Sequence, residues 1–254
     1  MDTPFYSRVP KDRKKNIDFR KALIIECEKS PRYAKECRDM CAKDLLFYVN
    51  AFGMAYDPRE SRHRVDIFNT YPYQDDGFKR LYDCCIEGED ALVEKSRDMG
   101  ATWMCLILIM HQFQFVDLST FLIGSYKAEL VDKRGDPKCL FWKMDFWFNK
   151  LPPFMRPNYA RKLFGFQNTD NQSTIDGEST TAEFGRGDRR TGIMLDEFAH
   201  VAGGAQIMAS TRDAANFRIL NSTPNGASNE FYRIVKKNEI AKIRMHWTDH
   251  PRKA

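Results

Sequence analysis

The spacing of apolar residues changes near position 57. Before it, Ala22, Leu23, Ile24 and Ile25, then Leu45, Leu46, Tyr48 and Val49, cluster as helical faces do. They predict helix from Ile17 to about Ala55, interrupted at Ser30-Pro31, where a proline cannot continue a helix from its interior. Residues 1 to about 20 are polar and basic and read as a loose arm. Beyond Asp57-Pro58, short apolar runs alternate with amphipathic stretches. Ala91-Leu92-Val93, Thr120-Phe121-Leu122-Ile123-Gly124, Gly192-Ile193-Met194-Leu195 and Phe217-Arg218-Ile219-Leu220-Asn221-Ser222 read as strands. Lys162-Leu163-Phe164-Gly165-Phe166 and Ser173-Thr174-Ile175 read as a hairpin. Helices are predicted over about Thr102 to Phe115 and over Phe141 to Leu151, the second stopped by Pro152-Pro153. Alternating strands and helices define an α/β fold with a mainly parallel central sheet.

The longest apolar run, Trp103 to Met110, ends at His111, far short of the roughly 20 residues of a membrane span. No apolar stretch follows the basic N-terminus, so it is no secretory signal. At 254 residues the chain suits one large domain with a small helical appendage. Its 43% apolar and 30% charged residues exclude collagen-like, low-complexity and wholly disordered chains. A net charge of +5 permits a nucleic-acid partner without requiring one. The seven cysteines form no CxxC pair, which favours reduced thiols over a disulfide framework or a zinc site. The five histidines show no HExxH spacing, and no GxSxG is present.

Candidate chemistry starts between the first strand and the helix after it, at Glu94-Lys95-Ser96-Arg97-Asp98-Met99-Gly100-Ala101-Thr102-Trp103. A phosphate-binding loop of pattern GxxxxGK[ST] belongs at such a junction. Gly100 matches its second glycine and Thr102 its magnesium-side hydroxyl, while Ala101 stands at the lysine and Lys95 at the first glycine. The loop must offer backbone N–H groups, a helix N-terminus and a cation. Lys95 could supply the cation from the loop's start, with Arg97 as a second. Taken alone, the segment reads equally as a charged turn.

Ile193-Met194-Leu195-Asp196-Glu197 is an apolar strand that delivers two carboxylates to the sheet's C-terminal edge, where ligands bind in such folds. Asp196 would hold Mg²⁺, and Glu197 would orient and deprotonate water. Ser222-Thr223-Pro224-Asn225-Gly226 follows the next strand and could sense a γ-phosphate, although these residues also suit a plain turn. In Tyr71-Pro72-Tyr73-Gln74 the glutamine could read adenine and a ring could stack on it, or the segment could be a packed aromatic turn. Arg186-Gly187-Asp188-Arg189-Arg190 is a basic loop with a solvated reading as well. Phe141, Trp142, Phe146, Trp147 and Phe148 read as helix core rather than a base-stacking platform, and His200 as a packing or capping residue. Lys127, Lys133, Arg134 and Lys138 suit DNA phosphates or ordinary surface charge.

Together KSRDMGAT, IMLDEFAHV and NSTPNG, with YPYQ ahead of them, resemble the ATPase domain of the large terminase subunit of tailed bacteriophages, over about Val65 to Pro251. The resemblance implies a P-loop NTPase of the additional-strand, conserved-Glu type. Residues 1–60 would form an N-terminal arm and helical lid region and 61–254 the ATPase core, without the nuclease domain or nuclease activity of complete terminases. It implies hydrolysis of ATP, with Mg²⁺ on Asp196 and Thr102, and a nucleotide held by Tyr73, Gln74 and the loop Lys95, Ser96, Arg97, Asp98, Met99, Gly100, Ala101 and Thr102. Catalysis would fall to Glu197, Lys95 and Arg97, with Arg186 as an arginine finger toward a neighbouring subunit. Ser222, Thr223 and Pro224 would couple hydrolysis to movement. The implied partners are double-stranded DNA, the portal protein and the small terminase subunit, in a homo-oligomeric ring on the procapsid in the host cytoplasm; the isolated domain need not assemble. Two other readings stand beside it. One is a helicase-like, nucleic-acid-stimulated ATPase. The other is a non-hydrolysing nucleotide-binding assembly module, suggested by Ala101 and opposed by Glu197.

Overall fold

Three helices, not two, fill the N-terminal region: α1 (Arg13–Lys29), α2 (Pro31–Lys43) and α3 (Leu45–Phe52). The computed structural model describes residues 5–60, 63–181, 183–187 and 189–253; residues 1–4 of the expected arm and Asp188 of the basic loop lie outside them. Ser30 and Pro31 open α2, the Ser30 side chain accepting from Tyr33 N–H. The unforeseen break is Asp44, whose carboxylate accepts from Phe47 N–H at 2.9 Å and so starts α3 as an N-cap. Every residue of α3 is buried. Strands β1 (Met54–Tyr56) and β2 (Val65–Ile67) then pair antiparallel.

Next comes α4 (Pro72–Glu87), where the sequence suggested only a local turn. Proline sits at its first turn, Gln74 closes back on the Tyr71 N–H at 3.0 Å, and Gly88 ends it at φ 72°. The main sheet contains β3 (Ala91–Lys95), β4 (Thr120–Ser125), β5 (Tyr159–Lys162), β6 (Gly165–Asn168), β7 (Thr174–Ser179), β8 (Arg190–Asp196), β9 (Ala215–Ser222) and β10 (Ala241–Met245). Between them run α5 (Ala101–Phe115), α6 (Ala128–Val131), α7 (Leu140–Lys150), α8 (Gly204–Ser210) and α9 (Glu230–Lys237). The order is β10-β3-β9-β8-β4-β7-β6-β5. From β10 to β7 all pairs are parallel; β7-β6 and β6-β5 are antiparallel. Strand β9 lies between β3 and β8, which is the additional strand that the terminase resemblance implies. The expected hairpin is shifted. A turn at Leu163-Phe164, with Phe164 at φ 55°, divides Lys162–Phe166 between β5 and β6, and β6 then pairs with β7.

The central strands are buried on both faces, as parallel strands under helices must be. Alternate residues enter two cores. Val93, Ile123, Met194 and Ile219 join the larger one, with α3, α4, α5 and α7. Leu92, Leu122, Ile193, Leu195 and Leu220 join the smaller, with Phe184, Ile207 of α8 and Phe231 and Ile234 of α9. Trp147, Phe141 and Phe148 lie wholly inside, as expected of core aromatics. The cysteines are unbridged, and no described helix is long and apolar enough to cross a membrane.

One buried ring gives the fold an acid limit. His111 on α5 is enclosed, its Nε2 lying 2.9 Å from the Cys41 carbonyl, and burial pushes its pKa from 6.5 down to about 4. A histidine lowered on folding stabilises fully above its unfolded pKa and loses that contribution as the pH falls from 6.5 toward 4. The expected loss is about 3 kcal/mol across that window. Urea unfolding at pH 7 and pH 4.5 should show a steeper acid loss for the parent than for His111→Gln. Equal losses would refute the assignment.

Candidate nucleotide site

The two-residue period of the strands also builds the site. On the face toward α5, the last position of each central strand turns from apolar to polar. Val93 is followed by Lys95, Ile219 by Asn221, Met194 by Asp196 and Ile123 by Ser125. Register aligns three of these in one row, with Asn221 and Ser125 on either side of Asp196. Lys95 stands one step further out on β3, beyond the pairing of Val93 with Asn221.

The loop from Lys95 to Thr102 crosses above this row into α5. Gly100 sits at φ 80°, and a Cβ there would come within 2.8 Å of the Gln74 amide nitrogen, so both backbone and space require glycine. The Tyr73 hydroxyl and the Gln74 amide each donate to the Met99 carbonyl, at 3.2 and 3.1 Å. Because the Gln74 oxygen is engaged by Tyr71 N–H, its amide braces the loop in this state rather than facing a base. Ser96 is tied to the far side: its N–H donates to Met245 O, and its hydroxyl accepts from Trp247 N–H at 3.2 Å. Asp98 pairs with Arg59 at 2.6 Å, and Lys253 donates to Arg97 O at 2.6 Å. The Arg97 side chain is exposed and stands apart from the Lys95 contacts.

Lys95 and Thr102 each meet one carboxylate. Lys95 Nζ lies 2.8 Å from Glu197 Oε1 and 3.0 Å from the Thr223 hydroxyl, in a largely enclosed ion pair. Thr102 Oγ1 donates to Asp196 Oδ1 at 3.1 Å, and Asn221 Nδ2 donates to the same oxygen at 2.6 Å. Glu197 adopts a left-handed conformation at φ 52°. Neighbours on a strand point to opposite faces; the left-handed kink past the end of β8 brings Glu197 round to the side of Asp196. The Ser222 hydroxyl, 3.5 Å from Glu197 Oε2, also accepts from Ala199 N–H and so fastens this turn to the end of β9. His200 Nδ1 lies 3.9 Å from Glu197 Oε2, and its ring stacks on Tyr126. Asn221 and Ser125 were not foreseen, since a lone polar residue ending an apolar run carries no signal until the register places it.

Burial raises the Asp196 carboxyl above the usual carboxylate range. Glu197 pushes the same way, while Lys95, Asn221 and Lys143 oppose it. A hard divalent cation would relieve that cost. One carboxylate, one hydroxyl and the buried Asn221 Oδ1, unpartnered among the described residues, form an all-oxygen set suited to Mg²⁺ with water and phosphate as its other ligands.

Arg186 lies elsewhere. Phe184 is buried over Gly124, and Gly185 sits over Ile193, with 3.6 Å from its Cβ position to Ile193 Cδ1. The chain then runs to Arg190, the far end of β8 from Asp196. Arg186 itself is exposed and pairs with Glu183 at 2.9 Å.

A phosphate-type loop before α5, a strand inserted between β3 and β8, and paired carboxylates closing β8 define a P-loop NTPase fold of the additional-strand type. More narrowly, it is the fold of phage large terminases. The large terminase of bacteriophage HK97 aligns over 81% of this chain and 43% of its own, with 14% identity and a TM-score of 0.58. The large terminase of a thermophilic bacteriophage, in complex with ATP-γ-S, aligns over 72% of this chain and 46% of its own, with 11% identity and a TM-score of 0.51. The chain thus spans less than half the length of either terminase. No protein-family model and no curated protein matches it.

Proposed function

We propose that the chain hydrolyses ATP with Mg²⁺ and, as the motor part of a large terminase, drives double-stranded DNA into a viral procapsid. The observation that carries the ATPase reading is the convergence of Lys95, Glu197 and Thr223 beside Thr102, Asp196 and Asn221. The terminase of the thermophilic phage, whose fold the chain shares, binds ATP-γ-S, which supports ATP as the nucleotide. The wider role would place a ring of subunits on the portal in the host cytoplasm, supplied with DNA by the small terminase subunit.

Each group has a definable task. The backbone N–H groups of Arg97 to Thr102 and the α5 N-terminus surround the phosphates. Asp196 and Thr102 would hold Mg²⁺, which neutralises phosphate charge when bound. Lys95 now neutralises Glu197, and a triphosphate entering the loop competes for that ammonium. Once Lys95 turns to the phosphate, Glu197 is free to accept a proton from water at its Oε atoms. Thr223 shares Lys95 with Glu197, so the exchange alters the Ser222-Thr223-Pro224 segment as well. That links hydrolysis to the loop leading into α9.

Phosphate release tests the reading. The parent should turn over Mg·ATP, and Lys95→Ala should lose on the order of 10²-fold in rate, the usual scale for removing a preorganised electrostatic contact. Near-normal turnover by Lys95→Ala would remove Lys95 from the site and leave Arg97, whose alanine variant is the next to measure. Absence of turnover in the parent, with DNA and portal supplied, would overturn the function.

A further inference from the structure

The α5-facing row has one member that the proposed chemistry leaves idle. Ser125 closes β4 directly opposite Asp196, is 1% exposed, and its Oγ has no hydrogen-bond partner among the described residues. A buried hydroxyl without a partner costs about 1–3 kcal/mol, so an idle one beside a nucleotide site signals a ligand group not yet in place.

Helix α6 lies against β4 and β7 at this end of the row, and α7 packs on α6 and α5 beside it. Phe141, in the first turn of α7, packs against Gly177 of β7, which is paired with Ile123, two residues before Ser125. On its other side Phe146 packs on Trp103, the residue after Thr102, at 6.0 Å between ring centroids. Between these two anchors α7 carries Lys143. Its Nζ donates to the carbonyls of Lys138 at 2.7 Å and Cys139 at 3.3 Å, and among the described residues it has no carboxylate within ion-pair distance. Burial lowers its pKa, and Asp196 is the foremost of the charges that act against that shift. A partly enclosed ammonium held only by carbonyl dipoles is poorly compensated. An incoming anion would complete it.

We propose that Lys143 and Ser125 form a third wall of the nucleotide site and contact the γ-phosphate of ATP bound in the same subunit. This rests on the ATPase reading above and adds to it a cation from outside the phosphate loop. Lys95 approaches from β3, past the end of β9. Lys143 comes from α7, the helix whose Phe146 packs on Trp103 beside Thr102. The γ-phosphate then lies between two ammonium groups of one chain, and ADP, lacking that group, leaves Lys143 uncompensated. The site would therefore distinguish triphosphate from diphosphate before any neighbouring subunit contributes.

Binding of Mg·ATP-γ-S and Mg·ADP to the purified chain tests this, together with thermal unfolding without nucleotide. Lys143→Gln should weaken ATP-γ-S on the order of tenfold to a hundredfold, as expected for loss of a charge-assisted contact, and change ADP by less than about threefold. Lys143→Arg should restore most of the difference, and Ser125→Ala should weaken ATP-γ-S alone, by several-fold. Without nucleotide, Lys143→Gln should melt at or above the parent temperature, because it removes an uncompensated ammonium. Equal weakening of both nucleotides, unchanged ATP-γ-S binding, or a lowered melting temperature without nucleotide would each overturn the Lys143 assignment alone. Failure of the parent to bind either nucleotide would overturn it together with the ATPase reading.

Discussion

Glu197→Gln should bind Mg·ATP at least as well as the parent and fail to turn it over, with a rate loss of about 10² to 10⁴, the range of a general base. The amide keeps the shape of the side chain and its hydrogen-bonding oxygen but cannot take a proton. Two features of the site make the binding half of this expectation specific. Glu197 accepts the Lys95 ammonium at 2.8 Å, so removing its charge frees Lys95 for the phosphate without competition. It also raises the Asp196 carboxyl by repulsion, so the neutral variant leaves Asp196 more readily ionised for the metal. Both effects favour the bound state. Asp196→Asn, by contrast, should lose Mg-dependent binding itself. Binding measured with ATP-γ-S and single-turnover hydrolysis measured with ATP separate the two. A Glu197→Gln chain that binds as poorly as Asp196→Asn would refute separate base and metal roles.

The parts of this site that were legible in the sequence are those in which several residues act in one segment. Ile193-Met194-Leu195-Asp196-Glu197 announces itself because a buried parallel strand needs continuous apolar residues and two carboxylates then break them. The loop before α5 was legible from Gly100 and Thr102 despite Ala101, since glycine is required there by φ and by the approach of Gln74. The helix α4 was hidden because Asp75, Asp76 and Gly77 dilute its apolar face and Tyr71-Pro72 reads first as a turn. The task of Gln74 was hidden too: its amide contacts are made to Tyr71 and Met99, and only the second of these comes from another element. Asn221, Ser125 and Lys143 come from three elements spread over about a hundred residues, and no local pattern marks them. Strand parity, once the register is known, is what places Asn221 and Ser125 in one row.

Arg186→Ala should leave nucleotide binding by the isolated chain nearly intact while removing assembly-stimulated hydrolysis, a loss of about 10³ to 10⁵ if Arg186 is a finger acting on a neighbour's ATP. The fold favours action in trans. Gly185 sits over Ile193, which is three residues, or about 10 Å of strand, short of Asp196. From there the chain leads to Arg190 and away from its own Asp196. The guanidinium is exposed and, among the described residues, is held by Glu183, itself exposed, in a surface pair of the kind that contributes little stability. That pair can be exchanged at small cost when a neighbouring phosphate comes within reach. Arg186, Arg189 and Gln206 also line an open hollow of about 590 Å³ beside α8, so the loop lies on a face available to another subunit. Lys95, which faces the chain's own site, cannot report that a neighbour is present, whereas a ring that fires in sequence needs such a signal. Mixed assemblies provide the decisive measurement. Arg186→Ala subunits keep Glu197 and the loop; Glu197→Ala subunits keep Arg186. Each is inactive in its own ring, yet a mixed interface unites an intact site with an intact finger, and turnover should partly return. The experiment is to be run with full-length protein, portal and DNA, with incorporation of both variants verified. If both are incorporated and no activity returns, Arg186 does not act in trans, and Arg189, on the same loop, becomes the residue to exchange.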